Sequence, residues 1–571
     1  MEKYKKLLSR LGWEKLKKYA GVQLVETLIE WLPSGTSLYE KSRLIEMIIR
    51  LNGTDILKDK EFRRDLLLCM NTNDIIEIAR NNSINETLDP QEIVEIIISK
   101  PWKSNRISNH LVKIWELNPE EIFEIKENGR GAANEVLTNH NRFFELFDYQ
   151  YYIKQQVLDI LTSDADLERI MIHMPTGTGK TKTAMHILTH YYNFAIKKQG
   201  LIIWIAHTNE LLEQAFSAFE NTWAHLGDGE VNAYKLWGAH TINEDISDGV
   251  IFCGIDKLRS VAIRDSQLFD SIKSNCRLIV FDEAHKATAP ETKAVIESLM
   301  IKKDGMRDRS LIGLSATPGR TTMDSFENTL LAAMFGNRLV SIDVEVLKFM
   351  NMDRISALNT TEEVNIISYF QNRGILSKIK EEKLEYQQDF TDAERKILLA
   401  DMKAYQSEDV TDKQLEVFAN NKNRNIKIME RLIELSKEDL PTIVFAISVM
   451  HAKMISAMLS INGIENSLVT SELKPYERKK AIDSFKDKSS NVNFIVNYGV
   501  LTTGFDSKNI KCVFITRPTK SVVLYSQMIG RGLRGPLMGG NEECLLIDIK
   551  DNLENYDKES AFAHFDSYWK R

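Results

Sequence analysis

A chain of 571 residues, 43% hydrophobic and 27% charged, has room for roughly three or four domains and can bury real cores, which excludes a small stapled scaffold and a chain disordered throughout. Its 74 Lys and Arg against 81 Asp and Glu leave a formal charge of -7, so it is no simple basic coat for nucleic acid, and any polymer must lie in a local groove. Apolar runs such as Leu201 to Ala206 fall far short of the ~20 residues of a membrane span, and Cys69, Cys253, Cys276, Cys512 and Cys544 lack the CxxC spacing of a zinc site or the even count of a disulfide framework.

No membrane association and a reducing cytoplasm are therefore expected. The first 18 residues are rich in Lys and Arg, yet Tyr4, Leu7, Leu8, Leu11 and Leu16 recur at helical spacing and no apolar segment follows, so they read as a helix and not a targeting signal. Apolar spacings of three and four continue to about residue 135. Asp89-Pro90 and Asn118-Pro119 each set a capping side chain before a proline suited to a first helical turn. The pattern Ile75-Ile76-Glu77-Ile78 returns at Ile93 to Ile96 and Ile122 to Ile125, but at unequal intervals, which describes ordinary amphipathic helices better than a solenoid. Residues 1–135 are expected to be an all-helical accessory domain that folds alone and docks a substrate or a protein partner.

From about residue 140 short β-rich runs alternate with helical patterns: Ile170 to His173, Leu201 to Ala206, Val250 to Cys253, Leu278 to Phe281 and Leu311 to Leu314. A second set comprises Thr442 to Ala446, Ser467 to Val469, Phe494 to Asn497, Val513 to Thr516 and Cys544 to Ile547. Buried strands alternating with helices predict an α/β class with two parallel-sheet domains, over 140–337 and 437–571. The polar, charged stretch within 338–436 reads as a linker and helical insertion.

The chemistry is concentrated in three motifs. Met174 to Thr181 (MPTGTGKT) follows a predicted strand and opens a predicted helix, the context in which Thr176, Gly177, Thr178 and Gly179 can close backbone N–H groups around phosphate. Lys180 would reach the β and γ phosphates of ATP, and Thr181 would ligate Mg²⁺. The strand Leu278 to Phe281 ends in Asp282-Glu283-Ala284-His285, where Asp282 can hold Mg²⁺ and Glu283 can activate water. Gln527 to Arg534 (QMIGRGLR) carries Arg531 and Arg534 at i and i+3, expected on one helix face and able to reach across a cleft to the γ phosphate, with Gln527 organising phosphate and water.

In this order the motifs resemble superfamily 2 DEAH-box helicases and translocases, over about residues 145 to 550. The resemblance implies two tandem RecA-like domains with ATP in the cleft between them and nucleic acid across the opposite face. It implies that Gln150 reads adenine, that Ser315 and Thr317 (Ser315-Ala316-Thr317) couple hydrolysis to domain movement, and that Gly504 and Asp506 (within GVLTTGFD) face the nucleotide. Nucleic-acid contacts would come from His207 and Asn209 (AHTNEL), Gly254 and Lys257, Phe445, and Thr502, although Ile255 stands where the family usually has Thr. Arg259, Lys286 and Arg320 lie near these contact motifs, while His173, Trp204 and Trp237 read as core residues. Arg517-Pro518-Thr519 and Ile367 to Leu376 (ISYFQNRGIL) look most like the branch containing restriction-enzyme helicase subunits, RadD proteins and XPB, though the zinc module that ends some of them is missing, with no paired cysteines after Arg534. That branch implies DNA more than RNA as the polymer. An RNA helicase, or an ATP switch subunit of a larger complex, would carry the same motifs.

Overall fold

The computed structural model describes residues 2–31, 40–123, 134–138, 144–163, 169–243, 245–301, 309–319, 325–343, 366–400, 409–502, 504–505 and 507–551. Two sheets organise them. The first contains β1 Asn134–Leu137, β2 Arg169–His173, β3 Leu201–Ala206, β4 Val231–Leu236, β5 Gly249–Gly254, β6 Cys276–Asp282, β7 Ser310–Ser315 and β8 Leu339–Ser341, in the order β1-β4-β5-β3-β6-β7-β2-β8. Every pairing in it is parallel except β1 with β4. The second contains β9 Lys378–Leu384, β10 Thr442–Phe445, β11 Asn466–Val469, β12 Phe494–Asn497, β13 Cys512–Ile515 and β14 Glu543–Ile549, all parallel, in the order β11-β12-β10-β13-β14-β9. Central strands such as β3 and β10 are buried at every residue, because helices cover both faces of a parallel sheet and leave no polar side to alternate with.

All ten expected strands form. The expectation of a helical insertion fails at one element: Lys378–Leu384 is a strand, paired along its length with β14. Its KIKEEKL sequence favours helix by propensity, but at the sheet edge Lys378, Lys380, Glu381 and Lys383 are exposed and Glu382 is held by Arg431, while the backbone hydrogen-bonds to β14. Charged residues on an edge strand also discourage a further strand from adding. After it come helices Asp392–Ala400, Asp412–Asn420 and Lys422–Lys437, as the charge-rich pattern suggests.

The first 123 residues are helical where described, as expected, but they do not keep a core to themselves. Leu44, Met47, Ile48 and Leu51 of helix Lys41–Asn52 belong to one continuous apolar core with Met454, Ile455, Met458 and Leu459 of helix Val449–Ile461 in the second sheet domain. Arg50 adds hydrogen bonds to Glu465 Oε2 (2.5 Å) and the Asn466 carbonyl (3.1 Å). The helical region thus sits on the second sheet domain, although the first follows it in sequence.

A candidate ATP site between two sheet domains

The phosphate loop joins β2 to helix Lys180–His190. Gly177 and Gly179 adopt φ of 89° and 83°, a left-handed backbone that a side chain would strain, and a Cβ on Gly179 would also lie 2.3 Å from Gln150 Nε2. The loop is braced from below. Tyr149 Oη and Gln150 Nε2 both donate to the Thr178 carbonyl (2.8 and 2.9 Å), and Thr178 Oγ1 donates to the Pro175 carbonyl (2.8 Å). Gln150 Oε1 accepts from the Phe147 N–H (3.0 Å), so this fully buried amide is engaged at both ends and holds the loop in place.

Lys180, at the first position of the helix, points its ammonium between Asp282 Oδ1 (3.5 Å) and Glu283 Oε1 (3.6 Å) at the C-terminal end of β6. Burial by itself lowers an ammonium pKa, but Glu283 and Asp282 outweigh it and Lys180 is raised. For Glu283 burial opposes ionisation, yet Lys180, His285 and Arg531 together hold its carboxyl down at about 2. Asp282 goes the other way, raised chiefly by burial in spite of Lys180; a divalent cation there would favour its charged form. Thr181 stands in the first helical turn, directly after Lys180. One buried carboxylate, one hydroxyl and the substrate's own phosphates are what Mg²⁺ commonly uses, since it keeps several waters and needs no all-protein cage, so these residues fit the ion.

Glu283 is held at φ 54°, ψ 52°, an uncommon conformation for a residue with a side chain, and its carboxylate lies 3.4 Å from His285 Nδ1. His285 Nδ1 is 3.5 Å from Ser315 Oγ, which donates to the Thr317 carbonyl (2.5 Å) and accepts from the Thr317 N–H (3.1 Å). His173 Nε2 lies 3.1 Å from the Ala316 carbonyl, and the Met174 N–H donates to the Ser315 carbonyl (3.2 Å). Ser315 and Thr317 are therefore wired both to the acid pair and to the strand that feeds the phosphate loop. His173 is a buried core residue, as expected.

The second sheet domain closes over this loop. Helix Val522–Ile529 ends at Ile529, so the expectation that Arg531 and Arg534 share a helix face does not hold. Arg531 lies in the following turn, and Arg534 forms a β-bridge with Leu376. The segment after the helix is tightly packed: a Cβ on Gly530 would lie 2.6 Å from Thr176 Cβ, and one on Gly532 would lie 2.4 Å from Cys544 Sγ, so neither position has room for a side chain. Arg531 donates from Nε to the Gln527 carbonyl (3.2 Å) and from its guanidinium to the Phe505 carbonyl, and its charge reaches both Lys180 and Glu283. Arg373, between the sheets, grips Asp148 Oδ1 and Oδ2 (2.7 and 2.9 Å) and Tyr369 Oη (2.8 Å), tying the linker to the helix that carries Gln150. Sequence reasoning missed this clamp, because no local pattern announces a pair separated by so much chain.

Other expected residues are brought elsewhere. Gly504 meets helix Asn209–Leu226: its carbonyl accepts from Gln214 Nε2, and a Cβ on it would lie 3.2 Å from Leu211 Cγ. Asp506 and Arg320 lie outside the described residues. Phe445 is no polymer contact but a core residue, 2% exposed in the centre of the second sheet. His207 turns its ring edge-on to Phe281, beside the acid pair, where burial pushes its pKa down to about 4. Asn209 is exposed at a helix start, Gly254 precedes helix Ile255–Arg264, Lys257 donates to the Gly238 carbonyl (3.3 Å), and Thr502 is half-buried after β12. Arg259 is engaged by Asp256 and Glu291. Trp204 and Trp237 are buried, as expected.

Comparison with known proteins matches residues 143–320 to the res subunit of type III restriction enzymes and residues 424–535 to the helicase conserved C-terminal domain. The chain is 28% identical over 67% of its length to the candidate ATP-dependent helicase IRC3 of Saccharomyces cerevisiae, covering 48% of that protein. It is 24% identical over 68% of its length to the candidate mitochondrial ATP-dependent helicase irc3 of Schizosaccharomyces pombe, covering 55% of it, and 23% identical over 68% to the endonuclease subunit of the Escherichia coli type I restriction enzyme EcoAI, covering 44%. The chain thus spans about half the length of these relatives. With one match on each sheet domain, in order, and the phosphate loop, acid pair and arginine segment meeting at their junction, the chain belongs to the superfamily 2 helicases, related to the helicase subunits of restriction enzymes.

Proposed function

We propose that this protein is an ATP-dependent DNA helicase or translocase, a nucleic-acid-stimulated ATPase that converts hydrolysis into movement on duplex or branched DNA. The observation that carries the reading is the meeting of Lys180, Asp282 and Glu283 from one sheet domain with Arg531 from the other. Such a site is complete only when the domains are closed, so ATP favours closure and hydrolysis releases it. Lys180 binds the β and γ phosphates. Glu283, ionised and aimed by its left-handed backbone and His285, takes a proton from the attacking water. Arg531 and Arg534 answer the charge that develops on the γ phosphate. Mg²⁺, held by Thr181 and Asp282, supplies charge neutralisation at the phosphates when bound.

Ser315 and Thr317 transmit the state of the acid pair to the loops on the opposite face, where Asn209, Gly254, Lys257 and Thr502 meet the DNA backbone. Phosphate-directed contacts give little sequence preference. A restriction, repair or phage-defence setting in the cytoplasm, with a protein partner for the helical region, fits the branch the motifs resemble and the five free cysteines. Among the described residues no helix is long and apolar enough to cross a membrane. The test is the ATPase rate with no polymer, single-stranded DNA, duplex DNA and RNA: duplex or branched DNA should stimulate most, and a larger response to RNA would replace this reading with an RNA helicase.

A further inference from the structure

One helical turn touches all three parts of the molecule. Helix Pro475–Lys486 of the second sheet domain begins after Lys474, whose ammonium lies 2.6 Å from Asp55 Oδ1 in the helical region; Lys58 also approaches Asp55, at 3.1 Å. Glu477, three residues on, accepts from the backbone N–H groups of Lys474 and Thr54. Its carboxylate fits against Gly53 so closely that a Cβ there would lie 2.9 Å from Oε1, and Gly53 has φ 54°. The next residue, Arg478, reaches the first sheet domain, donating to Glu210 Oε1 (2.8 Å). Glu210 directly follows Asn209, a residue assigned to DNA, in helix Asn209–Leu226, which also meets Gly504, so this ion pair joins the two sheet domains next to a proposed DNA contact.

We propose that Arg478–Glu210 is a latch for domain closure on the DNA side, and that the helical region positions it through Asp55–Lys474 and Thr54–Glu477. The helical region shares a core with the second sheet domain and moves with it, so its grip on Lys474 and Glu477 fixes the direction in which Arg478 leaves the helix. Arg478 and the helical region are positioning elements and touch neither ATP nor the reacting atoms. The proposal rests on the DNA-stimulated ATPase proposed above.

The test is steady-state ATPase of the full chain titrated with duplex DNA, together with thermal melting. Asp55→Asn should leave the DNA-free rate and the melting temperature unchanged and raise the half-saturating DNA concentration about two- to fivefold, the range for a partly exposed ion pair. Arg478→Ala should raise it at least as much, and the double variant should be no worse than Arg478→Ala alone, because both changes break one device. Exchanging the charges, Glu210→Arg with Arg478→Glu, should recover part of the loss, and Lys474→Arg, which keeps the pair to Asp55, should behave as wild type. Multiplying effects, an unshifted Asp55→Asn, or a Lys474→Arg as impaired as Asp55→Asn would overturn the latch. A wild-type ATPase that no DNA stimulates would instead remove the function on which it rests.

Discussion

At the scale of single residues, the candidate ATP site is the most legible part of the chain, because its motifs are local in sequence: MPTGTGKT and DEAH each follow a strand, and the structure brings Lys180, Asp282 and Glu283 together. Phe445 was misjudged because motif position said nothing of which way a strand residue points, and it faces the core. Two expectations belong here. Lys180→Ala should cut hydrolysis by roughly 10²-fold or more, as for loss of one fixed donor to developing charge. Glu283→Gln should slow it by about 10²- to 10⁴-fold while ATP still binds, which equilibrium binding of a fluorescent ATP analogue can separate from turnover. His451 makes a different prediction. Its Nδ1 accepts from the Ile447 N–H (3.2 Å) and its Nε2 lies 2.8 Å from Asn425 Oδ1, and burial pushes its pKa down to about 3. The unfolded chain therefore binds a proton below about pH 6.5 that the folded chain refuses until about pH 3. Its contribution to stability is complete above pH 6.5 and falls by about 1.4 kcal/mol per unit as pH drops through that window. Urea unfolding between pH 7 and 5 should show this slope added to those of the other histidines that burial holds down, His186, His207 and His285, and His451→Gln should reduce the total by about 1.4 kcal/mol per pH unit.

Elements were less legible where tertiary contact overrides local preference. Lys378–Leu384 has helical composition and becomes an edge strand; QMIGRGLR has helical spacing and leaves the helix after Ile529, in a segment where Gly530 and Gly532 pack too closely on Thr176 and Cys544 to carry a side chain. The helical N-terminal region was recognised as helical, but nothing in its own periodicity could say where its apolar stripes would be covered. Its packing changes the expected result of removing it. A self-contained domain would leave a soluble motor after deletion of residues 1–135. The shared core means that deletion uncovers Met454, Ile455, Met458 and Leu459, each worth roughly 1.5–3 kcal/mol when buried, apart from the small loss of surface ion pairs. The truncated chain should therefore aggregate or melt well below the full chain in a thermal scan with light scattering. A monodisperse fragment with unchanged melting would show that the helices contribute no core.

Across the whole molecule, contacts among the described residues bridge the sheet domains at several places: Thr176 against Gly530 at the phosphate loop, Asp148 with Arg373 at the linker, and Gln214 with Gly504 and Glu210 with Arg478 along helix Asn209–Leu226. With a hydrolytic site that spans both sheet domains, as proposed, these contacts are those of its closed arrangement. If DNA is gripped through its phosphates, stimulation of the ATPase should fall steeply between 50 and 200 mM salt while the DNA-free rate changes little. The most direct measurement is displacement of a third strand from duplex DNA, which moving proteins strip off without having to unwind the duplex. The account predicts displacement that requires hydrolysable ATP, is lost in Lys180→Ala and is slowed in Glu283→Gln. Strong DNA-stimulated hydrolysis with no strand displaced would contradict it and make the protein an ATP-driven switch on DNA.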